Sequence, residues 1–421
     1  MSAAPMQPPS EVPPLGQAPW LTAPSTQAVL AALSAAGFEG RIVGGAVRNA
    51  LLGLDVADID VATPAAPHDV LKACAKAGLR TVPTGLDHGT VTVIAGHAAI
   101  EVTTLRRDVA TDGRRAVVAF TDDWSEDARR RDFTMNALYC NAKGLVEDYV
   151  GGWPDLVARR VRFIGNADQR IAEDYLRILR FFRFHAAFGE GEPDRAAMAA
   201  CARGVAGIAR LSAERIRAEM VKLLGARGVI AAIRAMEDAG LLPAVLGAAP
   251  RPDVLAEVVG AEEMLGLAPD VMLRLSALAI AAPDDIARLA SRLRLSNEEQ
   301  DALLVIDDAT VRKLDRINAR RARQIVYRQG ASASRRLAVA LAAVVPERRD
   351  EADVLLATSA AWPPPKLPVS GADVLARGLA PGRHIGDLLD DLEAWWVDAD
   401  FPGEAATCAH LDALIAPGKA G

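Results

Sequence analysis

An α/β head followed by a long all-α body is the fold class this 421-residue sequence predicts, on three observations. Short strand-like runs separated by two helical segments occupy residues 41–120. Strand signals nearly vanish after Gly152, and the remainder carries Ala, Leu and Arg at helical period. The expected division is a disordered Pro/Ala-rich tail at 1–22, the α/β head at 23–155, a helical neck at 156–226, a helical body at 227–345 and a helical tail at 346–421. Pro and Gly clusters at 189–193, 248–252 and 362–368 punctuate the helical part.

In order, Ser25 is the N-cap of a helix whose apolar positions Val29, Leu30 and Leu33 lead to Gly37. Residues 41–43 then read as a strand, 46–52 as a helix, 59–62 as a strand and 67–77 as a second helix. Strands at 79–82, 90–94, 100–104 and 116–120 complete the head. No fixed-period repeat of the solenoid kind follows.

Composition narrows the class. With 51% hydrophobic residues the chain can supply a core to each of several domains. Four scattered cysteines (74, 140, 201 and 408) indicate neither a disulfide framework nor a zinc knuckle, which suits reduced thiols in the cytoplasm. No Lys or Arg precedes Arg41, so the charged start of a secretory or mitochondrial leader is not expected, and no apolar run reaches the roughly 20 residues of a membrane span. At a net charge of −6, a nucleic-acid partner requires a local basic surface.

The chemistry concentrates in residues 41–64, RIVGGAVRNALLGLDVADIDVATP. Asp58 and Asp60, at i and i+2 on a strand, would share a face with their Cα atoms roughly 7 Å apart, a spacing that suits Mg²⁺. Gly44 and Gly45 lie between a strand and a helix, where backbone N–H groups can cradle a triphosphate, and Arg48 adds positive charge one turn later. Each half alone is weak, since most Gly-Gly pairs are turns and most D-x-D runs are solvated loops. Together they account for phosphate, metal and charge balance. A dinucleotide fingerprint would need G-x-G-x-x-G, and the sequence offers GGAVRN.

The run G-G-x-V-R, then L-L-G, then D-I-D-V-A-T resembles the signature of class II CCA-adding tRNA nucleotidyltransferases and the related bacterial poly(A) polymerases. One departure is Asn49, where the family carries Asp. The resemblance implies a nucleotidyltransferase head of the DNA polymerase beta-like superfamily, a small mixed sheet with helices, followed by an all-α neck, body and tail. It also implies template-independent addition of CCA, from CTP and ATP, to the 3′ end of tRNA, with two Mg²⁺ ions on Asp58 and Asp60.

Further stretches extend the resemblance. In residues 85–106, HGTVTV and EVTTLR resemble the strands completing the family's head, and Glu101 is a candidate third acid; its alternative is an exposed strand residue. RRRDFTMNAL resembles the family's R-R-D-F-T-x-N block, which implies that Arg131 contacts the nucleotide and Asp132 accepts from the ribose 2′-hydroxyl. In EDYLRILRFFRF, Asp174 and Arg177 are expected at i and i+3 on one helical face, with Arg180 and Arg183 continuing the stripe among phenylalanines. The family reading makes Asp174 and Arg177 a protein template. Cytosine and adenine each present an amine donor beside a ring-nitrogen acceptor, whereas guanine and uracil reverse that order. Arg180 and Arg183 would meet the triphosphate.

RNA needs its own surface. Residues 312–336 hold nine Lys/Arg against the single acid Asp315, with Arg320, Arg321, Arg323 and Arg328 as candidate phosphate contacts; a solvated helix face is the alternative. Residues 367–389 resemble the tail of bacterial CCA-adding enzymes, and 108–115 their flexible loop. Poly(A) polymerase, or an enzyme adding only CC or only A, is the close rival. An inactive RNA-binding scaffold is disfavoured by the intact acid and arginine motifs, and a His-Asp phosphohydrolase by six thinly spread histidines. No obligate protein partner and no membrane association are expected.

Overall fold

The computed structural model describes residues 11–86, 89–112, 115–306 and 311–416. They form two compact units, one made of Met1–Pro250 with Arg292–Arg294, the other of Arg251–Ser291 with Leu295–Gly421. The break after Pro250 falls in the Pro/Gly cluster at 248–252.

In the first unit, β1 (Arg41–Val43), β2 (Asp60–Thr63), β3 (Arg80–Gly85), β4 (Thr90–Ala95), β5 (Ala98–Thr104), β8 (Leu138–Asn141) and β9 (Val146–Asp148) build one mixed sheet in the order β3-β4-β5-β2-β1-β8-β9. The β2–β5 pair is parallel and the other neighbours are antiparallel. Helices α2 (Pro24–Ala35) and α4 (Pro67–Lys76) pack together beside β3 and β4, burying Val29, Leu33, Val70 and Cys74. Strands β8 and β9 are additions to the sequence reading, hidden there by the mixed composition of LYCN and VED.

Two further expectations are corrected. Residues 108–112 and 115 are strand, not loop: β6 (Arg106–Asp112) and β7 (Arg115–Phe120) form a separate two-stranded ladder, with residues 113–114 outside the described set. The presumed disordered tail at 1–22 is ordered from residue 11. Pro19–Thr22 is a short helix, α1, with Leu21 buried; the Leu15 amide donates to the Gly144 carbonyl at 2.7 Å, and the Thr26 hydroxyl donates to the Trp20 carbonyl at 2.7 Å. Gly144, at φ +83°, is needed there because a Cβ would fall 2.1 Å from the Gly16 nitrogen. A Pro/Ala composition lacks periodicity, but two leucines suffice to dock it.

Beyond the sheet come α5 (Trp124–Arg129), α6 (Gly152–Val157), α7 (Ala167–Glu173), α8 (Leu176–Phe188), α9 (Arg195–Arg203), α10 (Ala213–Leu224), α11 (Val229–Asp238) and α12 (Leu242–Leu246). Helix α8 packs against α10 and α11. Its Phe181 and Phe182 are fully buried, and Phe163 stacks on Phe181 with ring centroids 5.7 Å apart. The second unit is helical, with its longest element at Ala319–Val344, interrupted where Gly330 takes φ +79°. Among the described residues, no helix is long and apolar enough to cross a membrane.

Leu21→Ala should cost about 2–5 kcal/mol, the range for emptying a buried leucine site. Calorimetric melting checks it; an unchanged Tm would return residues 11–22 to the status of a tail.

Candidate active site

The acids sit at one end of the parallel pair. Asp60 opens β2, and its register partner in β5 is Glu101. Asp58 precedes the strand, so the pleat does not place Asp58 and Asp60 on one strand face as the spacing suggested. Partial desolvation, then the nearby Glu101 carboxylate and Asp58, push the Asp60 carboxyl above its ordinary value, with Arg131 pulling the other way. Among the described residues no three His, Cys, Asp or Glu side chains form a closed cage. An open edge of hard oxygens still fits Mg²⁺, which commonly takes one or two carboxylates and completes its shell with water and phosphate.

The glycine turn lies beside this edge. Gly44, at φ +76°, ends β1 and starts α3 (Gly45–Leu51). An ideal Cβ on Gly44 would lie 3.9 Å from Arg131 Nη1, so the guanidinium faces the turn. Arg131 is fixed from behind: its Nε donates to the Tyr139 hydroxyl at 2.9 Å, and its Nη2 lies 3.1 Å from the buried Asp127. Asp127, which also accepts from Arg130 and Tyr139, is held below the usual carboxylate range because these partners outweigh its burial. Neither Asp127 nor Tyr139 was singled out from sequence; each gains its meaning only from Arg131.

Arg48 is buried, and its side-chain hydrogen bonds go to amides while the Asp132 charge acts on it. Its Nη1 donates to Asn136 at 2.6 Å, its Nε and Nη2 donate to the Asn49 side-chain oxygen at 3.1 and 2.8 Å, and its guanidinium lies 4.1 Å from the Phe188 ring centroid. Desolvation, with Arg183 and Arg180 close by, brings its pKa down to about 10. Asn49 also joins the helix to the segment leading into the acids: its amide nitrogen donates to the Asp55 carbonyl at 2.9 Å, and its backbone carbonyl accepts from the Leu54 amide at 2.8 Å. The family's Asp could accept from Arg48 but has no proton to donate to Asp55.

The arginine stripe differs from a single helical face. Residues 173–184 are not continuous helix: α7 ends at Glu173, Asp174 is extended at φ −156° and ψ 107°, and α8 starts at Leu176. The Asp174 carboxylate caps α8 through the Leu176 amide at 3.0 Å and pairs with Arg215 at 2.6 Å. Arg177 pairs with Glu173 and donates to the Arg170 carbonyl at 2.9 Å, so Asp174 and Arg177 are neighbours at the break without pairing. Arg180 holds Asp132 through Nε at 2.8 Å and Nη2 at 2.5 Å. The other Asp132 oxygen accepts from the Phe133 amide and the Asn136 side chain, so both oxygens are engaged. Arg183 pairs with the buried Glu219 at 2.5 Å, and Arg180 lies 3.8 Å from it. Glu219, absent from the sequence reading, is the acid that lets two arginines stand side by side.

The candidate RNA stripe is partly neutralised within the second unit. Arg323 pairs bidentately with Asp400, Arg328 lies 3.4 Å from Asp398, Arg321 lies 3.8 Å from Asp315, and Arg320 adds its field at Asp400. The local excess of eight charges counted along the sequence, which already includes Asp315, is therefore offset in part by Asp398 and Asp400, remote in the chain.

A mixed sheet carrying an acidic edge beside a glycine turn and a guanidinium-lined helix pair is the head of a nucleotidyltransferase. Comparison with known proteins agrees: residues 40–162 match the family described as poly A polymerase head domain, and residues 193–253 the one described as probable RNA and SrmB-binding site of polymerase A. The chain is 36% identical over 369 residues to the mitochondrial CCA tRNA nucleotidyltransferase of Mus musculus, covering 86% of this chain and 84% of that one. It is 31% identical over 393 residues to the CCA-adding enzyme of Lacticaseibacillus paracasei, covering 91% and 95%. Its fold is similar to the crystal structure of the Bacillus stearothermophilus CCA-adding enzyme in complex with CTP, at a TM-score of 0.68 and 26% identity over 93% of this chain and 96% of that one. The chain belongs to the CCA tRNA nucleotidyltransferase family.

The Asp60 environment gives a pH-linked prediction. A carboxyl held above its ordinary value favours the folded state only while protonated; that contribution is complete below the unfolded value, near 3.8, and gone once pH passes the raised folded value. Near neutral pH the ionised Asp60 is a net cost to folding. Asp60→Asn is therefore expected to raise Tm at pH 7 in metal-free buffer, with the gain shrinking as pH falls towards 3.8. A lowered Tm at pH 7 would contradict the crowding of these acids.

Proposed function

We infer that this enzyme adds C, C and A, from CTP and ATP, to the 3′ end of tRNA. The observation that carries the reading is the acidic edge, Asp60 across from Glu101 with Asp58 just ahead, set beside the Gly44 turn and Arg131. The relatives named CCA tRNA nucleotidyltransferase and CCA-adding enzyme, matched over 84% and 95% of their lengths, support the choice of product.

In this reading the head, 23–155, supplies the chemistry and the neck, 156–226, reads the base. Asp58 and Asp60 hold two Mg²⁺ ions, with Glu101 adjoining, and the ions supply charge neutralisation at the α-phosphate and a more acidic 3′-hydroxyl. Gly44 and Gly45 offer backbone N–H groups to the triphosphate, and Arg48, Arg180 and Arg183 face its charge. When Arg180 turns to the triphosphate it frees an Asp132 oxygen, which then accepts from the ribose 2′-hydroxyl. Arg131, anchored by Asp127 and Tyr139, keeps its remaining nitrogen on the nucleotide side. Asp174 accepts from the exocyclic amine of cytosine or adenine and Arg177 donates to the ring nitrogen. Uracil and guanine would leave both groups unmatched, and unpaired polar groups in such a pocket discriminate strongly. In the helical part, Arg320, Arg321, Arg323 and Arg328 meet tRNA phosphates by exchanging their acid partners for RNA. The compartment proposed is the cytoplasm.

The decisive measurement is incubation of the pure protein with Mg²⁺, labelled CTP or ATP and tRNA lacking its 3′ terminus. Growth that stops after C-C-A is expected, whereas a long A tract would identify a poly(A) polymerase. In the same assay Asp58→Asn should lower incorporation by two or more orders of magnitude, as loss of a metal-holding carboxylate implies, while CTP binding persists. Near-normal incorporation would remove Asp58 from the metal site.

A further inference from the structure

The break between α7 and α8 that presents Asp174 and Arg177 does not stand alone. Directly beneath it runs the 3-10 segment Val205–Arg210, which follows α9. An ideal Cβ on Gly204 would fall 2.8 Å from Ile171 Cγ2 and 2.9 Å from Ile178 Cδ1, one residue from each helix flanking the break. An ideal Cβ on Gly207 would fall 1.9 Å from Tyr175 Cδ1, 2.0 Å from its Cε1 and 2.2 Å from its Cγ, inside the ring of the residue between Asp174 and Leu176. Neither glycine has a positive φ, and Gly204 is right-handed at φ −83° and ψ −1°. Backbone conformation therefore does not require glycine at either position. Space does.

We propose that Gly204 and Gly207 form a shelf that sets base choice, by letting the Tyr175 ring seat on bare backbone and so fixing where Asp174 and Arg177 stand. Tyr175 is the N-cap residue of α8, at φ −61° and ψ −15°, immediately after the extended Asp174. The Arg210 guanidinium lies 5.6 Å from its ring centroid. The backbone at Tyr175 cannot rotate without moving the ring, and the ring already abuts the Gly207 backbone. Rotation there would re-aim the Asp174 carboxylate, which already spends one oxygen on the Leu176 amide and the other on Arg215. It would also shift the first turn of α8, where the Arg177 amide donates to the Asp174 carbonyl at 3.0 Å.

Selection of a base by two side chains depends on both being placed within fractions of an ångström, and a misplacement of about 1 Å costs roughly a hundredfold in such sites. A single methyl on Gly207 would demand a displacement of that order. These are positioning residues, since neither glycine touches nucleotide in this reading, and the proposal rests on Asp174 and Arg177 reading the base.

The test compares kcat/KM for CTP, ATP, UTP and GTP on tRNA lacking CCA, alongside thermal melting. Gly207→Ala should melt cooperatively yet lose roughly ten- to hundredfold in preference for CTP and ATP over UTP and GTP. Should Gly207→Ala fail to fold, Tyr175→Leu on the native glycine carries the same expectation, because it removes the flat ring that the shelf accepts. A folded variant with unchanged preference, or an equal loss for all four nucleotides, overturns the shelf. Arg177→Ala separates the two ideas: retained preference there overturns base reading itself, whereas lost preference there with unchanged preference in the shelf variants overturns the shelf alone.

Discussion

Unbalanced charge, of opposite sign in the sheet and in the helices beside it, is the constraint on which the rest of the site depends. On the sheet side, burial first and then the neighbouring Glu101 and Asp58 hold the Asp60 carboxyl above its ordinary value. On the helix side, Arg48, Arg180 and Arg183 share two carboxylates, Asp132 and Glu219, and Arg48 is left with amides and aromatic faces. Like charges this close are costly in a medium less polar than water. In the proposed reading, a divalent cation bound with a triphosphate would offset both imbalances, with the acids holding the metal and the guanidinium groups facing phosphate.

Asn49 shows how this chain adjusts that balance. With the family's Asp, Arg48 would gain an adjacent negative charge and its pull on an incoming anion would weaken. With Asn, the oxygen still orients Arg48 without adding a negative charge, and the amide nitrogen donates to the Asp55 carbonyl, which a carboxylate could not do. The same side chain thus orients the guanidinium and ties down the segment leading to Asp58. A neutral residue is compatible with the chemistry because its work is positional.

Much of the head was legible in sequence because its signals are local. The strand at 41–43, the glycine turn, the short helix after it and the acid pair each sit within a few residues of one another. What sequence reading could not supply is geometry made by remote partners. Helical spacing predicted Asp174 and Arg177 on one face, yet the chain breaks between them, since the Asp174 carboxylate caps a new helix and Arg215 and Tyr175 fix it there. Asp127 and Glu219 were invisible for the same reason: a buried acid acquires a role only once its arginines are folded against it. The strand at 116–120 was read, but its partner at 106–112 and the ordered residues 11–22 were missed because polar strands and Pro/Ala runs carry little periodicity.

The basic stripe makes the limit of sequence reading quantitative. Counted along the chain, residues 312–336 carry an excess of eight positive charges. Counted in space, Arg323, Arg328, Arg316 and Arg336 lie against Asp400, Asp398, Glu351 and Asp270. Most of these pairs are partly exposed, and exposed pairs are each worth only about 0–1 kcal/mol. An RNA phosphate offers a comparable partner together with release of its counterions, so exchange is energetically open. Arg320 is exposed near the start of this helix, and in the proposed reading it meets RNA first, with Arg323 and Arg328 following as their acids are displaced. On that reading the pairing leaves the stripe available to RNA, at an affinity lower than the sequence count implies and steeply dependent on salt.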